Sequence, residues 1–193
     1  MEKITKQLNF IEEIEKLKTI TRFNRTLDTR FENSAEHSWQ AALTSVILQE
    51  YYPQKIDMEK VMLMLLIHDL GEIYAGDTWV FDEKQKETSH DNELKSIEQT
   101  LKVLPQYQYE DLKKSWIEFE KGESNEARYA RVIDALIPLI NHLTVSNEGY
   151  NPDNITSEMV LSKKNFIKNE SKELWNLVQE LVKLSVDKGL YLE

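Results

Sequence analysis

The sequence predicts an all-α fold. Apolar residues recur at helical spacing through most of the 193 residues, and no run of five or more residues shows the alternation of a half-buried strand. Only 5 glycines and 4 prolines are present, so the chain can form few tight hairpin turns. A chain of this length usually forms one domain, and we therefore expect a single helical domain over residues 1–193.

The first two helices and the loop between them follow from the pattern of apolar residues. Residues 2–19 place apolar side chains at helical spacing, whereas residues 21–33 have no regular period and are expected to form a loop. Ser34 suits the N-cap position of a second helix. That helix should run to about Tyr51, because Pro53 cannot continue it.

The third helix is expected at the centre of the fold. Asp57 can accept hydrogen bonds from the first turn of a helix over residues 58–70, and Gly71 suits its C-terminal end. The segment 61–67 is apolar on every face, which is typical of a helix that is buried on all sides. Residues 71–88 are expected to be irregular.

Five further helices complete the prediction, and most are bounded by a residue that starts or stops helices. Ser89 can begin the fourth helix, Pro105 stops it, and Gly122 ends the fifth. The five are expected over residues 89–104, 108–121, 124–145, 156–168 and 171–187. Pro138 lies inside the sixth helix and should bend it next to Asp134.

Composition and charge restrict the class of protein. The absence of cysteine excludes disulfides and thiolate metal sites, and it is compatible with a reducing cytoplasm. The charged N-terminus is unlike a signal peptide and the longest apolar run is too short to span a bilayer, so we expect a cytoplasmic protein without a membrane partner. The formal net charge of −10 repels nucleic-acid phosphates, so no nucleic-acid partner is expected. A metal ion can still attract a small anionic substrate.

The strongest chemical signal is the pair His68–Asp69, which directly follows the apolar run. A buried aspartate is costly unless it is paired, hydrogen-bonded or bound to a cation. Imidazole and carboxylate together suit a divalent metal, although the dipeptide alone would also fit a histidine that caps helix carbonyls. His37 and Asp134 favour the metal interpretation, because a shared ion explains why each polar residue occupies an apolar helix face.

The order His37, His68–Asp69 and Asp134, with each residue on a helix, resembles the HD superfamily of phosphohydrolases. The supporting strings are LKTITRFNR, ENSAEHSW, LLIHDLGEIYAGDT and ARVIDAL, and they resemble in particular the small HD-domain 5′-deoxynucleotidases. The resemblance covers about residues 10–185, which would form the core of a single HD-type helical bundle.

The resemblance implies a site for one divalent metal ion. Its ligands would be His37, His68, Asp69 and Asp134. Histidine and carboxylate ligands allow Mn²⁺, Co²⁺ or Mg²⁺, and also Fe²⁺, Ni²⁺ or Zn²⁺. Binuclear members need further histidines between the His–Asp pair and the last aspartate, where this sequence has only His90.

The same resemblance implies the groups that act on the substrate. Glu72 matches the acid/base glutamate of the family, and Asp77 matches a second acid that orients water or protonates the leaving oxygen; on sequence alone, both would be ordinary surface acids. Arg22 matches a basic residue, and its guanidinium fork suits a phosphate. Phe23 stands where the subgroup often has a tryptophan that packs on the nucleoside, and Thr78 would bind a phosphate or a sugar hydroxyl.

The function that the resemblance implies is metal-dependent hydrolysis of a small anionic phosphate ester. The expected substrate is a nucleoside or deoxynucleoside 5′-monophosphate, attacked by a metal-activated water. One alternative is a hydrolase of another small phosphoester or of a guanosine alarmone pyrophosphate, although Ile73 departs from the alarmone group's His-Asp-x-x-Glu-Asp motif. A second alternative is a non-catalytic HD module that binds a nucleotide or a protein partner. Family members commonly associate, so a homodimer is expected.

Overall fold

Ten α-helices and a two-stranded antiparallel sheet form the computed structural model, which describes residues 1–193. The helices are α1 (Glu2–Ile14), α2 (Ser34–Leu48), α3 (Met58–Ile67), α4 (Glu72–Ala75), α5 (Glu83–Leu101), α6 (Gln106–Lys121), α7 (Asn125–Val145), α8 (Ser157–Lys164), α9 (Ile167–Glu170) and α10 (Lys172–Asp187). The strands are β1 (Thr21–Arg25) and β2 (Phe31–Asn33), and short 3-10 turns extend α1, α2 and α3. The prediction of an all-α fold is confirmed, since the sheet is confined to one short hairpin.

Side-chain caps set the starts of the second and third helices. Asp57 caps α3 as predicted and accepts a hydrogen bond from the backbone N–H of Glu59 at 3.0 Å. The cap of α2 is Asn33 rather than Ser34, because Asn33 and Glu36 form a reciprocal capping box with distances of 3.0 and 3.1 Å. Ser34 is therefore the first residue of α2, and its hydroxyl is available for a contact inside the protein.

Two other helix boundaries differ from the prediction. α5 begins at Glu83 rather than Ser89, because Asp82 accepts a hydrogen bond from the backbone N–H of Gln85 at 2.9 Å and caps the helix there. Part of the segment that was expected to be irregular is therefore helical. The helix expected over residues 156–168 is divided into α8 and α9.

The expected loop over residues 21–33 is a β-hairpin instead. β1 and β2 pair antiparallel, with Thr21 opposite Asn33. Arg22 and Asn24 are partly buried, whereas their neighbours along β1 are exposed. Because these inward-facing residues are polar, the strand lacks the apolar alternation by which a strand is recognised in a sequence.

The core consists of two apolar clusters that meet beside His68. α3 contributes to both, since Leu65 belongs to the larger cluster and Ile67 to the smaller one. The smaller cluster contains the fully buried Trp116. The centroid of the His68 ring lies 5.1 Å from that of Phe119, a member of the larger cluster. The His–Asp pair therefore lies between the two clusters.

The prediction that α3 is buried on every face is wrong. Leu63 and Leu66 are 38 % and 48 % exposed, although the opposite side of the helix is buried. α1 also leaves its apolar stripe of Ile4, Leu8 and Ile11 exposed. An apolar pattern in the sequence therefore marks helix surfaces in this chain as well as its core.

α7 ties the hairpin to the centre of the fold. The helix is continuous through Pro138, whose carbonyl oxygen accepts a hydrogen bond from Asn24 Nδ2 at 3.1 Å. The bend that the sequence predicts at Pro138 stays a prediction. None of the helices has both the length and the apolarity needed to cross a bilayer.

Candidate metal and phosphate site

Four side chains from three segments converge where the two apolar clusters meet. His37 comes from α2, His68 and Asp69 from the 3-10 turn after α3, and Asp134 from α7. His37, His68 and Asp69 are buried, and one potential ligand atom from each lies within 4.8 Å of the others. Asp134 Oδ1 lies 2.9 Å from His37 Nε2 and 3.5 Å from His68 Nε2. The structure thus brings together all four residues that the sequence predicts as metal ligands.

Hydrogen bonds behind His68 direct its second ring nitrogen toward the carboxylates. His68 Nδ1 donates to the carbonyl oxygen of Leu65 at 2.8 Å, and the indole N–H of Trp116 donates to the His68 carbonyl, also at 2.8 Å. His68 Nε2 is buried without a hydrogen-bond partner, 3.0 Å from Asp69 Oδ1. An unpartnered imidazole nitrogen among carboxylates fits a divalent cation, because both ligand types bind such ions.

The charges of the carboxylates shift the protonation of this cluster when no cation is bound. Burial alone would lower the pKa of His68, but the charges of Asp69 and Asp134 outweigh it and raise this pKa to about 9. Burial alone would raise the pKa of Asp134, but its hydrogen bond with His37 and the nearby positive charge of His68 hold this pKa well below its ordinary value. The cluster therefore retains a proton that a divalent cation would displace.

Arg22 places its guanidinium among the carboxylates beside this cluster. Its Nη1 lies 2.8 Å from Asp69 Oδ2, 3.5 Å from Glu72 Oε1 and 3.7 Å from Asp77 Oδ1. Burial opposes the charge of Arg22, but these carboxylates raise its pKa, so the side chain stays cationic. A partly buried guanidinium fork next to potential metal ligands suits an anionic oxygen such as that of a phosphate.

Glu72 and Asp77 are largely buried acids whose surroundings favour the protonated form. Burial and the charge of Asp69 raise the pKa of Glu72 well above its ordinary value, against the opposing effect of Arg22. Burial also raises the pKa of Asp77. Ser34 Oγ donates a hydrogen bond to Glu72 Oε2 at 2.5 Å. Carboxyl groups with raised pKa values beside an arginine are typical of acid/base groups.

A cavity of about 660 Å³ opens beside these acids. Its lining includes Arg22, Phe23, Asp77, Thr78 and Trp79, so the three predicted substrate-binding residues share one cavity. The rings of Phe23 and Trp79 stack with centroids 5.6 Å apart and an angle of 29° between their planes. The cavity thus combines ionic and hydroxyl groups with an aromatic face.

Gly71 allows α5 to lie close against the turn that carries the His–Asp pair. A Cβ atom at position 71 would lie only 3.1 Å from Glu93 Cβ and 3.2 Å from the Glu93 carbonyl oxygen. This approach partly buries Glu93. Burial, together with the charges of Glu120 and Asp69, raises the pKa of Glu93 to about 7.

Two residues at the site are absent from the sequence prediction. Glu32 is 3 % exposed, and its Oε2 lies 3.8 Å from both His37 Nδ1 and Arg22 Nε. Lys164 lines the cavity and donates a hydrogen bond to the Ala135 carbonyl, and burial lowers its pKa to about 8. Both residues lie in polar stretches, and nothing in a single sequence indicates that such side chains are buried.

The chain matches the model of the HD domain family over residues 14–175 and belongs to that family. A crystal structure from Magnetospirillum magnetotacticum, described as a predicted metal-dependent phosphohydrolase, is 34 % identical and superposes with a TM-score of 0.91. The match covers 100 % of this chain and 97 % of that one. An HD-domain phosphohydrolase from Listeria innocua shares the fold, with a TM-score of 0.70 at 16 % identity over 95 % of this chain and 91 % of that one.

Several more distant relatives carry a more specific name. Human 5′-deoxynucleotidase HDDC2 is 25 % identical over 105 residues, which are 54 % of this chain and 50 % of that protein. Yeast 5′-deoxynucleotidase YGK1 is 26 % identical over 135 residues, covering 66 % of this chain and 61 % of that protein. The chain spans about half the length of the first of these relatives. The predicted family, the HD-domain phosphohydrolases, is confirmed.

Proposed function

We propose that this protein hydrolyses the phosphate ester of a nucleoside 5′-monophosphate, with deoxynucleotides as the first candidates. One observation carries the proposal. The four potential metal ligands lie together next to Arg22 and two acids with raised pKa values, and Arg22 and Asp77 line a cavity with an aromatic face. The similarity to proteins named 5′-deoxynucleotidases supports the same substrate class.

His37, His68, Asp69 and Asp134 would hold one divalent cation. Such a cation, when bound, lowers the pKa of a water molecule and polarises a phosphoryl oxygen. The donor set of two imidazoles and two carboxylates suits Mn²⁺, Co²⁺ or Mg²⁺ and also accepts Fe²⁺, Ni²⁺ or Zn²⁺. The buried, unpartnered His68 Nε2 supports this assignment.

Arg22 binds and orients the phosphate in this proposal. Its guanidinium is already within 3.7 Å of Asp69, Glu72 and Asp77, so a phosphate that it binds lies beside both proposed acid/base groups. Burial and the charge of Asp69 help to keep Glu72 protonated, and neutralising that charge would lower the pKa of Glu72. Glu72 then accepts the proton of the attacking water, and Asp77, which lines the cavity, gives its proton to the leaving 5′ oxygen.

The nucleoside would occupy the cavity beyond the phosphate. The stacked rings of Phe23 and Trp79 offer an aromatic face for the base, and Thr78 offers a hydroxyl to the sugar or the phosphate. This arrangement favours a substrate with a planar ring over a simple alkyl phosphate. Phe23 is smaller than the tryptophan that is common at this position in the subgroup, and Trp79 adds a second ring beside it.

Phosphate release by chelator-stripped protein, with and without added Mn²⁺, Co²⁺ or Mg²⁺, tests this function. A panel of ribonucleoside and deoxynucleoside monophosphates would be compared for the wild type and Glu72→Gln. We expect metal-dependent release that Glu72→Gln abolishes while metal is still bound. If metal-loaded wild type releases no phosphate from any monophosphate, the nucleotidase function is wrong. Binding of nucleotides without release would instead favour the non-catalytic HD module.

We also propose that two copies associate through the exposed apolar side of α2 and α3, which pack against each other. The residues are Trp39, Leu43, Val46, Ile47, Leu63 and Leu66. Six side chains that are each about half exposed present on the order of 500 Å² of apolar surface. This matches the apolar part, about 60 %, of the roughly 800 Å² that each partner contributes to a standard interface.

Charge favours a second copy as the occupant of this surface. Neither residues 38–48 nor residues 61–67 contain a charged side chain, whereas the whole chain has a net charge of −10. Two acidic copies can therefore approach here without placing carboxylates opposite one another. Sedimentation should show a dimer for the wild type and a monomer for Ile47→Glu, with Leu27→Glu in the exposed hairpin turn as the control. A monomeric wild type would overturn this proposal.

A further inference from the structure

Two buried polar atoms face each other near the proposed metal site, and neither has a hydrogen-bond partner. They are His37 Nδ1 and Glu32 Oε2, which lie 3.8 Å apart. His37 is fully buried and Glu32 is 3 % exposed, so bulk water cannot satisfy either group. Buried polar atoms are almost always paired, and two unpaired atoms with complementary chemistry at this distance call for an explanation.

The other oxygen of Glu32 is held by a side-chain clamp between two helices. Asn141 Nδ2 donates to Glu32 Oε1 at 3.0 Å, and Gln40 Nε2 donates to Asn141 Oδ1 at 2.9 Å. Gln40 lies on α2 with His37, and Asn141 lies on α7 with Asp134. The clamp therefore joins the two helices that carry these proposed ligands. The clamp holds Oε1 of Glu32, while Oε2 lies 3.8 Å from the imidazole Nδ1.

Glu32 also faces the proposed phosphate ligand. Its Oε2 lies 3.8 Å from Arg22 Nε, which is on the side of the guanidinium away from the Nη1 that contacts Asp69. β1 and β2 of the hairpin therefore bring together Arg22 and Glu32, and the carboxylate lies between an arginine and a histidine. A carboxylate in this place can orient both side chains by hydrogen bonding.

We propose that Glu32 is a positioning residue that fixes the tautomer and the direction of His37 for metal binding. In this role, Oε2 closes from its separation of 3.8 Å to hydrogen-bond distance and accepts a hydrogen bond from His37 Nδ1–H, which leaves the lone pair of Nε2 directed toward Asp134 and the cation. Histidines that bind metals commonly donate their second ring N–H to a carboxylate, and this contact orients the ring and raises its basicity. The inference rests on the proposed role of His37 as a ligand.

Metal affinity, rather than activity, tests this inference. Stripped wild type, Glu32→Gln and Asp28→Asn would be titrated with Co²⁺ by calorimetry, with the visible spectrum of the bound ion recorded. Asp28→Asn is the matched control, since it removes the same charge from an exposed position of the same hairpin. Loss of an outer carboxylate contact of this kind costs about 10- to 100-fold in metal affinity.

We expect Glu32→Gln to weaken Co²⁺ binding by that factor and to change the spectrum, and Asp28→Asn to do neither. The melting temperature of the metal-free Glu32→Gln protein should remain near that of the wild type, which a purely structural role would not allow. A folded Glu32→Gln protein with unchanged affinity and spectrum would overturn the inference alone. A wild type that binds no divalent metal would overturn the proposed function as well.

A second measurement needs no variant and remains decisive if Glu32→Gln fails to fold. ¹⁵N NMR of the Zn²⁺-loaded wild type reports which nitrogen of His37 carries the proton. We expect a slowly exchanging Nδ1–H and a metal-bound Nε2. A His37 that binds zinc through Nδ1, or whose Nδ1–H exchanges at the rate of an exposed imidazole, would contradict the role given to Glu32.

Discussion

Ser34 Oγ and Glu72 Oε2 are joined by a hydrogen bond of 2.5 Å, which links the first turn of α2 to the turn that follows the His–Asp pair. The hydroxyl is free to make this contact because Asn33 caps the helix instead. The bond favours the ionised form of Glu72 and so opposes part of the rise in its pKa.

Ser34→Ala should therefore raise the pKa of Glu72 further and move the acidic limb of the pH–rate profile to higher pH. The substitution also leaves a buried carboxyl oxygen without its donor, at a cost of about 1–3 kcal/mol in the free energy of unfolding. Profiles of kcat/KM against pH and urea unfolding measure the two effects. Ser45→Ala is the control, since the hydroxyl of that buried serine of α2 donates to the Ala42 carbonyl and contacts no carboxylate. If the acidic limb of the profile does not shift in Ser34→Ala, Glu72 is not the general base.

Arg22→Lys should weaken phosphate binding although it keeps the positive charge. A lysine cannot present the guanidinium fork, and a lost charge-assisted hydrogen bond costs about 1.5–3 kcal/mol, equivalent to roughly a 10- to 150-fold higher KM. Steady-state kinetics on the preferred monophosphate measures this change. Arg30→Lys should leave KM unchanged, because Arg30 pairs with Glu36 outside the cavity. Equal KM values for the two variants would argue against phosphate binding by Arg22.

Phe23→Ala should affect nucleotides and spare simple phosphate esters. Stacking of a base on an aromatic side chain contributes about 1–3 kcal/mol, so KM for a nucleoside monophosphate should rise by roughly 5- to 150-fold. Hydrolysis of an alkyl phosphate, which has no ring to stack, should be unchanged. Phe166→Ala, a partly exposed phenylalanine outside the cavity lining, serves as the control. An equal loss on both substrates would indicate that Phe23 supports the site rather than the base.

Glu93→Gln should stabilise the protein at alkaline pH and have no effect in acid. Burial and the neighbouring charges raise the pKa of Glu93 from 4.5 to about 7, so the folded state holds this proton more tightly than the unfolded chain. The stability that the protonated form contributes is complete below pH 4.5 and is lost as the pH rises through 7. Allowing for solvent screening at a partly exposed group, the gain at pH 8 should be about 1–2 kcal/mol.

Urea unfolding of Glu93→Gln at pH 4.5 and pH 8 measures this difference. Glu87→Gln, at an exposed position of the same helix, should leave the free energy of unfolding unchanged at both pH values. If Glu93→Gln destabilises the protein at pH 8, the carboxylate has a favourable partner and the explanation of its raised pKa is wrong.

Most of the helices could be predicted from the sequence because their signals are local. Asp57, Ser124, Thr156 and Ser171 cap helices at or next to the predicted starts. The cap at Asp82 is not evident from the sequence, because Ser89, further along the same polar stretch, is an equally good cap by residue type. A single sequence does not show which of two caps will have the tertiary contacts that stabilise the longer helix.

The hairpin could not be predicted, because its inward-facing residues serve the site rather than the core. Arg22 and Asn24 face Asp69 and the Pro138 carbonyl, and neither contact has a local signature. The same reason applies to Glu32, whose partners come from β1, α2 and α7. The His68–Asp69 pair can be recognised in the sequence because a charged residue is unexpected directly after an apolar, buried run. A charged residue within a polar segment is ordinary and gives no such signal.

The hairpin places the reacting groups and the outer cavity lining on different parts of the same segment, so that one can change without the other. Its strands and the start of α2 deliver Arg22, Glu32, Ser34 and His37 from one short stretch of chain, while the turn residues Thr26 and Thr29 line the outer cavity. Because the turn is exposed and the strand ends are anchored, its length can change while the reacting groups stay in place. Exchange of this turn should therefore change which ligand the cavity prefers while the groups that react with the phosphate stay the same.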